Sequence, residues 1–361
     1  MKNTNILIAG SGPAGSAASL TLSKAGVTHT LIDKSRFPHD KVCGDAISGK
    51  VMEEIYKING DSFNSLLEEE KAIVTEGIRF VAPNNKFVDI PVPQNNGNYP
   101  VGLVSTRLDF DNYLQSKAVN RPECNFQIAE LKGIDHSEDL IHFKLTDREQ
   151  HKTKYLIDAS GSRSPVSHKF FNQRINQKFY CGGLRQYYEG VSGLVPGNFL
   201  ELHFIKELLP GYFWIFPLPG NKVNVGLGML SSYISKKKVD LKKLLNQIIR
   251  EHPEIKKRFK NARALENPKG WGLPLGSRRL PLVHGRTLLT GDAASLIDPF
   301  TGEGIGNAVL SGRMAAEAVV KSVESDSLGN LQLYEEELYD EIINELKLSR
   351  NIQQLTLNKP L

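Results

Sequence analysis

Asn5-Ile6-Leu7-Ile8-Ala9-Gly10-Ser11-Gly12-Pro13-Ala14-Gly15 is the stretch whose reading decides the fold. A short apolar run with β-branched residues reads as a buried parallel strand. It breaks into glycines at the spacing Gly-x-Gly-x-x-Gly, and a helix of small residues, Ser16 to Ala25, leads from there to a stop at Gly26. Gly10 allows the tight turn, Gly12 leaves bare backbone for a pyrophosphate, and Gly15 lets the helix pack close on the strand. The first-turn N–H groups around Pro13 and Ala14, with the helix dipole, then face the phosphates, so no basic side chain is required at that point. A second strand, Thr28 to Ile32, delivers Asp33, followed by Lys34, at a distance that suits hydrogen bonds from an adenosine ribose. These features specify a dinucleotide and leave NAD and FAD unresolved.

With 361 residues, 40% hydrophobic and 24% charged, the chain has the composition of a globular protein large enough for two cores. The net charge of +5, from 45 basic against 40 acidic residues, neither demands nor excludes an anionic partner, and nucleic acid is not expected. No apolar run approaches the roughly 18 residues of a membrane span, and the N-terminus enters a strand without a signal sequence, so the expected compartment is the cytoplasm. Cys43, Cys124 and Cys181 form no Cys-x-x-Cys pair. They read as reduced thiols, and no metal site is expected.

Along the chain, residues 49–71 carry helical spacing interrupted at Asn59-Gly60, which predicts two helical pieces. Gly77 to Ala82 and Lys86 to Val92 read as a hairpin of a different sheet, turning at Pro83-Asn84-Asn85. Thr106 to Ala118 reads as a helix, and strands are expected over Asn125–Ile134, Leu140–Leu145 and Lys154–Gly161. From Cys181 to about Leu230 strand follows strand, with a hairpin at Pro219-Gly220-Asn221. Val239 to Phe259 reads as one basic helix, whose lysines either touch an anionic lipid or pyrophosphate or form a solvated face. A strand near Arg286–Thr290, a helix over Gly304–Val323 and a charged helix over 331–355 complete the reading. The last places Leu331, Tyr334, Leu338, Ile342 and Leu346 on one docking stripe.

Two distant segments have special composition: Asp158-Ala159-Ser160-Gly161-Ser162-Arg163-Ser164, and Gly291-Asp292-Ala293-Ala294 continuing to Asp298-Pro299-Phe300-Thr301-Gly302-Glu303-Gly304-Ile305-Gly306. With the opening glycines, these resemble the three FAD motifs of the flavoprotein family that contains geranylgeranyl reductases, aromatic hydroxylases of the p-hydroxybenzoate type and flavin-dependent halogenases. The resemblance covers nearly the whole chain. It implies an α/β fold: a Rossmann-like FAD-binding domain over 1–75, 98–180 and 270–328, a mostly antiparallel β-sheet substrate domain over 76–97 and 181–269, and a C-terminal helical segment over 329–361. Asp292 is then expected at a ribityl hydroxyl of FAD, with Gly161 beside the cofactor. Pro299, Gly302, Gly304 and Ile305 form a turn and helix start whose free N–H groups favour the charge that appears on flavin reduction. Arg107 resembles the family's helix-start arginine that reaches the FAD diphosphate, a contact suited to guanidinium; a surface arginine is the other reading.

Phe37 to Asp45 resembles the Pro-Arg-x-Lys-x-Cys-Gly loop of geranylgeranyl reductase-like proteins, with His39 in place of the arginine. That resemblance puts Val42, Cys43 and Gly44 beside the flavin and makes Cys43 the candidate catalytic thiol; a small buried residue is the competing reading. Tyr212, Trp214 and Phe216, in Tyr-x-Trp-x-Phe-Pro, match the reductase pattern rather than the halogenase one. Alternate positions face one side of a strand, so they either line an apolar tunnel or form sheet core. The resemblance implies an FAD-dependent oxidoreductase that transfers hydride from reduced flavin to a carbon–carbon double bond of an isoprenoid or similarly apolar substrate. Its partners would be that substrate, an external donor, NAD(P)H or ferredoxin-like, and a peripheral membrane contact. The alternatives are an oxygen-dependent hydroxylase or halogenase acting through a flavin hydroperoxide, and a flavin-binding partner without catalysis.

Overall fold

The opening run is apolar on both faces because the strand it forms, Asn3–Ala9, lies in the middle of a parallel sheet that helices cover. It pairs in parallel with His29–Asp33 on one side and Gln150–Asp158 on the other, and Ile6, Leu7 and Ile8 are buried. These relations come from a computed structural model of the chain, which describes residues 3–93, 97–137, 139–146 and 149–358. Residues 1, 2, 94–96, 138, 147, 148 and 359–361, parts of the domain ranges read from sequence, lie outside the described residues. The sheet runs in the order Val283–His284, Thr287–Leu289, Gln150–Asp158, Asn3–Ala9, His29–Asp33, Cys124–Ile128.

One expected strand is two. Cys124–Ile128 pairs in parallel with His29–Asp33, whereas Gly133–His136 pairs antiparallel with Ile141–Lys144. A single straight strand over 125–134 cannot serve both partners. The chain turns between them, where the Ala129 N–H donates to the Asp33 carbonyl and the Lys132 N–H to the Lys144 carbonyl. The break expected near Gly60 is present, between the helices Gly49–Asn59 and Asn64–Glu68, with Gly60 at φ +72°.

The second sheet has the order Arg263–Ala264, Tyr180–Glu189, Lys222–Leu230, Tyr212–Leu218, Leu200–His203, Gly77–Val81, Phe87–Pro91. Lys269–Pro274 also pairs with Tyr180–Glu189, so this sheet reaches Pro274, past the boundary at 269 drawn from the sequence. All its pairs are antiparallel except Leu200–His203 with Gly77–Val81. Alternation along Tyr212–Leu218 sends Phe213 and Ile215 into a core with Leu245, Ile248 and Ile255 of the basic helices. Trp214 and Phe216 face the other way, toward Val104, Leu200 and Leu202.

The basic segment is not one helix. It is Leu241–Glu251 and Pro253–Arg258, because Pro253 has no N–H to continue the first helix and is suited to begin the second. Lys242, Lys243, Lys256, Lys257 and Lys260 are exposed, while Arg258 forks onto Glu201 at 2.7 Å on both oxygens. The stripe on the last helix, Gly329–Asn358, docks: Leu331, Tyr334, Leu338, Ile342 and Leu346 are all buried in the first core. Among the described residues no helix is long and apolar enough to cross a membrane.

The helix Pro13–Lys24 lies against the long helix Ile305–Ser325 through backbone. A Cβ on Gly312 would sit 2.1 Å from the Ala14 carbonyl oxygen. That carbonyl belongs to a helix and cannot step aside, so Gly312→Ala is expected to lower stability by about 2–3 kcal/mol in urea unfolding, as overpacking does.

Candidate active site

Three glycines of the opening loop do different work. Gly10 adopts φ +101°, and a Cβ on it would lie 2.3 Å from the Ala159 carbonyl oxygen. A Cβ on Gly15 would lie 1.8 Å from the Gly10 carbonyl oxygen and 3.4 Å from the Ala159 Cβ, so Gly15 serves the loop itself as well as the packing of helix on strand. Gly12 is the opposite case: its Cβ would meet nothing within 4 Å. It faces a cavity of about 370 Å³, with Gly10, Pro13 and Ala14 also in the wall. Gly12 is the N-cap of the following helix and offers no side chain, so the first-turn N–H groups carry no side-chain cap. Asp33 and Lys34 line the same cavity. The Asp33 carboxylate already accepts the Ser11 N–H at 2.8 Å, the Ser11 hydroxyl at 3.1 Å and the Ser35 N–H at 2.9 Å, so it holds the glycine loop as well as facing the cavity.

The distant motifs close the other walls. Gly161 (φ +86°), Arg163 and Asp292 line the cavity, as do Lys41 and Val42 from the loop after Asp33. Lys41 Nζ reaches Asp292 Oδ2 at 3.1 Å, which ties that loop to the last of the three motifs. Asp158, under the second motif, is wholly buried and accepts from the Ser160 hydroxyl at 2.6 Å and from the Ser164 hydroxyl; burial pushes its carboxyl up. Arg107 is not a surface residue. It is 3% exposed in the cavity wall, and one edge of its guanidinium, Nε and Nη2, is taken by Asp111, one turn on in the same helix, at 2.7 and 2.5 Å. The phosphate contact expected of it is left to Nη1 while this ion pair, which no motif in the sequence announces, stands.

Pro299, Gly302, Gly304 and Ile305 stand outside this cavity wall. Asp298 shapes their turn by accepting the Phe300 and Thr301 N–H groups at 2.9 and 2.7 Å. The helix start they form is not wholly free: Glu303 Oε1 accepts the Gly306 N–H at 2.7 Å, so the chain's own carboxylate already caps one of the donors expected to face a ligand. Cys43 and Gly44 also lie beyond the wall. The Cys43 loop and the aromatic strand nevertheless meet, since a Cβ on Gly44 would sit 3.0 Å from the Phe216 ring. At its other end the strand reaches the Pro299–Gly304 turn, where the Tyr212 hydroxyl donates to the Thr301 carbonyl and a Cβ on Gly302 would lie 3.2 Å from it. Tyr212, Trp214 and Phe216 do not line the cavity; Trp214 and Phe216 are buried and pack as an apolar seam.

Several residues that matter here were given no role by any motif. Asp45, wholly buried with φ +68°, accepts the Tyr187 hydroxyl at 2.6 Å and the Asn224 amide at 2.8 Å on Oδ2. Burial pushes its carboxyl up to about 6, against the pull of those two donors. Arg185, also wholly buried, joins Asp40 at 2.6 Å and Glu266 at 2.5 Å and lies over the Tyr187 ring at 3.9 Å. Asp40 and Trp271 line the cavity, and Arg163 stands over the Trp271 ring at 5.2 Å. The register explains the grouping: Tyr187 and Phe216 each lie directly opposite Asn224 on neighbouring strands, so all three share a face. No spacing within one segment reveals that.

Residues 3–183 match the FAD binding domain family and residues 187–270 the geranylgeranyl reductase catalytic domain. A menaquinone reductase of Mycobacterium tuberculosis is 29% identical over 326 residues, 87% of this chain and 76% of its own length. A digeranylgeranylglycerophospholipid reductase of Methanococcus vannielii is 28% identical over 366 residues, 98% of this chain and 88% of its own. Among solved structures, a geranylgeranyl bacteriochlorophyll reductase-like protein of Thermoplasma acidophilum shares the fold with a TM-score of 0.83 at 24% identity, over 98% of this chain and 87% of that one. A flavin-dependent brominase has a TM-score of 0.78 at 19% identity, over 99% and 90%.

Gly12→Val is expected to fold, since its side chain enters open space, and to lose FAD affinity at least tenfold in a fluorescence titration if that space takes the pyrophosphate, as the glycine spacing predicts. A second expectation concerns pH. The Asp45 carboxyl titrates near 6 in the fold against a usual 3.8, so the neutral form is the one folding favours. The stability this contributes is full below about pH 4 and is lost as pH rises through about 6. Unfolding titrations should therefore find wild type losing about 2–3 kcal/mol relative to Asp45→Asn across that window.

Proposed function

The chain belongs to the FAD binding domain family and carries its geranylgeranyl reductase catalytic domain; from this we propose that it is an FAD-dependent reductase that saturates carbon–carbon double bonds of an isoprenoid lipid. The residues present suit the cofactor. Gly12 leaves a bare cradle at a helix N-terminus, Asp33 and Asp292 present carboxylate acceptors, and Arg163 and Trp271 add a cationic and an aromatic wall. When bound and reduced by an external donor, FAD would supply a hydride to one alkene carbon while a proton goes to the other; no side chain of this protein can supply the hydride.

The match of residues 187–270 to the geranylgeranyl reductase catalytic domain carries the substrate class, and the relatives named as reductases of menaquinone and of digeranylgeranylglycerophospholipid support it. Tyr212, Trp214 and Phe216 join the Gly44 turn to the Pro299–Gly304 turn in a single apolar seam, with Leu200, Leu202 and Val104 packed alongside, outside the cavity wall. In this reading Cys43 sits near the reacting carbon, and Arg107 with Asp111 fixes the cavity wall from which the cofactor is held. Electrons come from an external donor, NAD(P)H or a ferredoxin-like protein. The protein works in the cytoplasm, and the exposed Lys236, Lys237, Lys238, Lys242 and Lys243 support a peripheral contact with an anionic bilayer surface.

The test is to reduce the FAD-loaded protein without oxygen and add a geranylgeranyl lipid in detergent. Mass spectrometry should find hydrogen added to the lipid while the flavin band at visible wavelengths returns. Turnover that strictly requires oxygen or halide would replace this reading with hydroxylation or halogenation.

A further inference from the structure

Behind the Cys43–Gly44 turn lies a closed set of buried polar groups. Asn224, wholly buried, uses every hydrogen-bonding atom of its side-chain amide on it: Nδ2 donates to the Cys43 carbonyl and to Asp45 Oδ2, both at 2.8 Å, and Oδ1 accepts the Trp214 indole N–H at 2.8 Å. Asp45 Oδ2 also accepts the Tyr187 hydroxyl at 2.6 Å, and Asp45 Oδ1 faces the Arg107 backbone N–H at 3.3 Å. One carboxylate thereby joins the Cys43 turn, the aromatic strand and the start of the Arg107 helix. Asp45 reaches this position only by adopting the left-handed conformation, φ +68°, which a residue with a Cβ rarely adopts.

We propose that Asp45 is a positioning residue whose charged form, acting through Asn224, holds the Cys43–Gly44 turn against Trp214 and Phe216 in the arrangement that the reaction requires. This rests on the reading of the turn as the reacting end of an isoprenoid reductase site. The charged carboxylate gives both Tyr187 and Asn224 an acceptor. A proton on it weakens one or both bonds, and Asn224 then holds the Cys43 carbonyl and the Trp214 indole less firmly. The groups that face Asp45 are Tyr187 and Arg185 of the strand Tyr180–Glu189, Asn224 of the strand Lys222–Leu230, and Arg107 with its partner Asp111 of the helix Arg107–Val119; Cys43 lies on its own loop. Burial pushes the Tyr187 hydroxyl up, and Arg107 and Arg185 are pushed up as well, all well above a midpoint near 6. Burial with these partners puts the Asp45 titration there, inside an accessible window.

The experiment follows the rate at which a geranylgeranyl lipid reoxidises the photoreduced, FAD-loaded protein between pH 5 and pH 8, with FAD affinity measured in parallel. The wild-type rate is expected to fall at least tenfold on going below a midpoint near 6, while FAD affinity stays level. Asp45→Asn should react at the slow rate at every pH, with FAD still bound. Tyr187→Phe removes one donor that favours the charged form, so its midpoint should move upward by half a unit or more; this variant also keeps the test open if Asp45→Asn does not fold. An Asp45→Asn protein that keeps the wild-type profile, or a Tyr187→Phe midpoint that does not move, overturns the proposal. Absence of reoxidation by the lipid at any pH in the wild type instead overturns the reductase reading beneath it.

Discussion

Close approach of backbone to backbone is the constraint on which this structure depends. The carbonyl of Gly10 lies where a Cβ of Gly15 would be, the carbonyl of Ala159 where a Cβ of Gly10 would be, and the carbonyl of Ala14 where a Cβ of Gly312 would be. These three contacts stack the loop, the strand Gln150–Asp158 and the helix Ile305–Ser325 with no side chain between them. Only because these contacts are filled by backbone can Gly12, alone among the loop's glycines, look out on open space. The cavity is the remainder after the other glycines have been used for packing.

How much of this is legible in the sequence depends on whether cause and consequence lie in one segment. The glycine spacing, the break at Gly60 and the apolar stripe from Leu331 to Leu346 each encode a local requirement, and each appears in the fold. Arg107 is legible as a residue, but its partner Asp111 is not, because a helical ion pair is common and the cavity it lines is assembled from distant walls. Gly312 carries no signal, since its reason is the Ala14 carbonyl nearly the whole chain away. Asp45, Tyr187 and Asn224 are single polar residues in ordinary surroundings until strand register sets two of them face to face. The undivided basic helix and the undivided strand over 125–134 are errors of a different kind: periodicity continues through Pro253 and through a turn whose hydrogen bonds go to other strands.

The buried charges on the substrate side of the loop are arranged so that each has a partner from another element. Arg185 has Asp40 and Glu266, and Asp40 has Lys269 as well. Such pairs contribute little net stability, because desolvation offsets most of the attraction. Their effect is on uniqueness. Moving the loop Phe37–Asp45 would take Asp40 away and leave the buried Arg185 short of a partner, a penalty that repacking the loop elsewhere would not offset. The cavity wall formed by Asp40, Lys41 and Val42 is therefore held by Arg185 and Lys269 at Asp40 and by Asp292 at Lys41.

The contact between Gly312 and Ala14 has one more consequence, for the order in which the chain is made. The strand Asn3–Ala9 leaves the ribosome well before one of its neighbours, Gln150–Asp158, and before the helix that seats its loop, Ile305–Ser325. The substrate sheet is built largely from neighbouring strands such as Tyr212–Leu218 and Lys222–Leu230, which can pair as soon as they emerge. During synthesis the glycine loop thus closes only after residue 312 has emerged, and its apolar strand must wait unpaired on one side until residues 150–158 have been made.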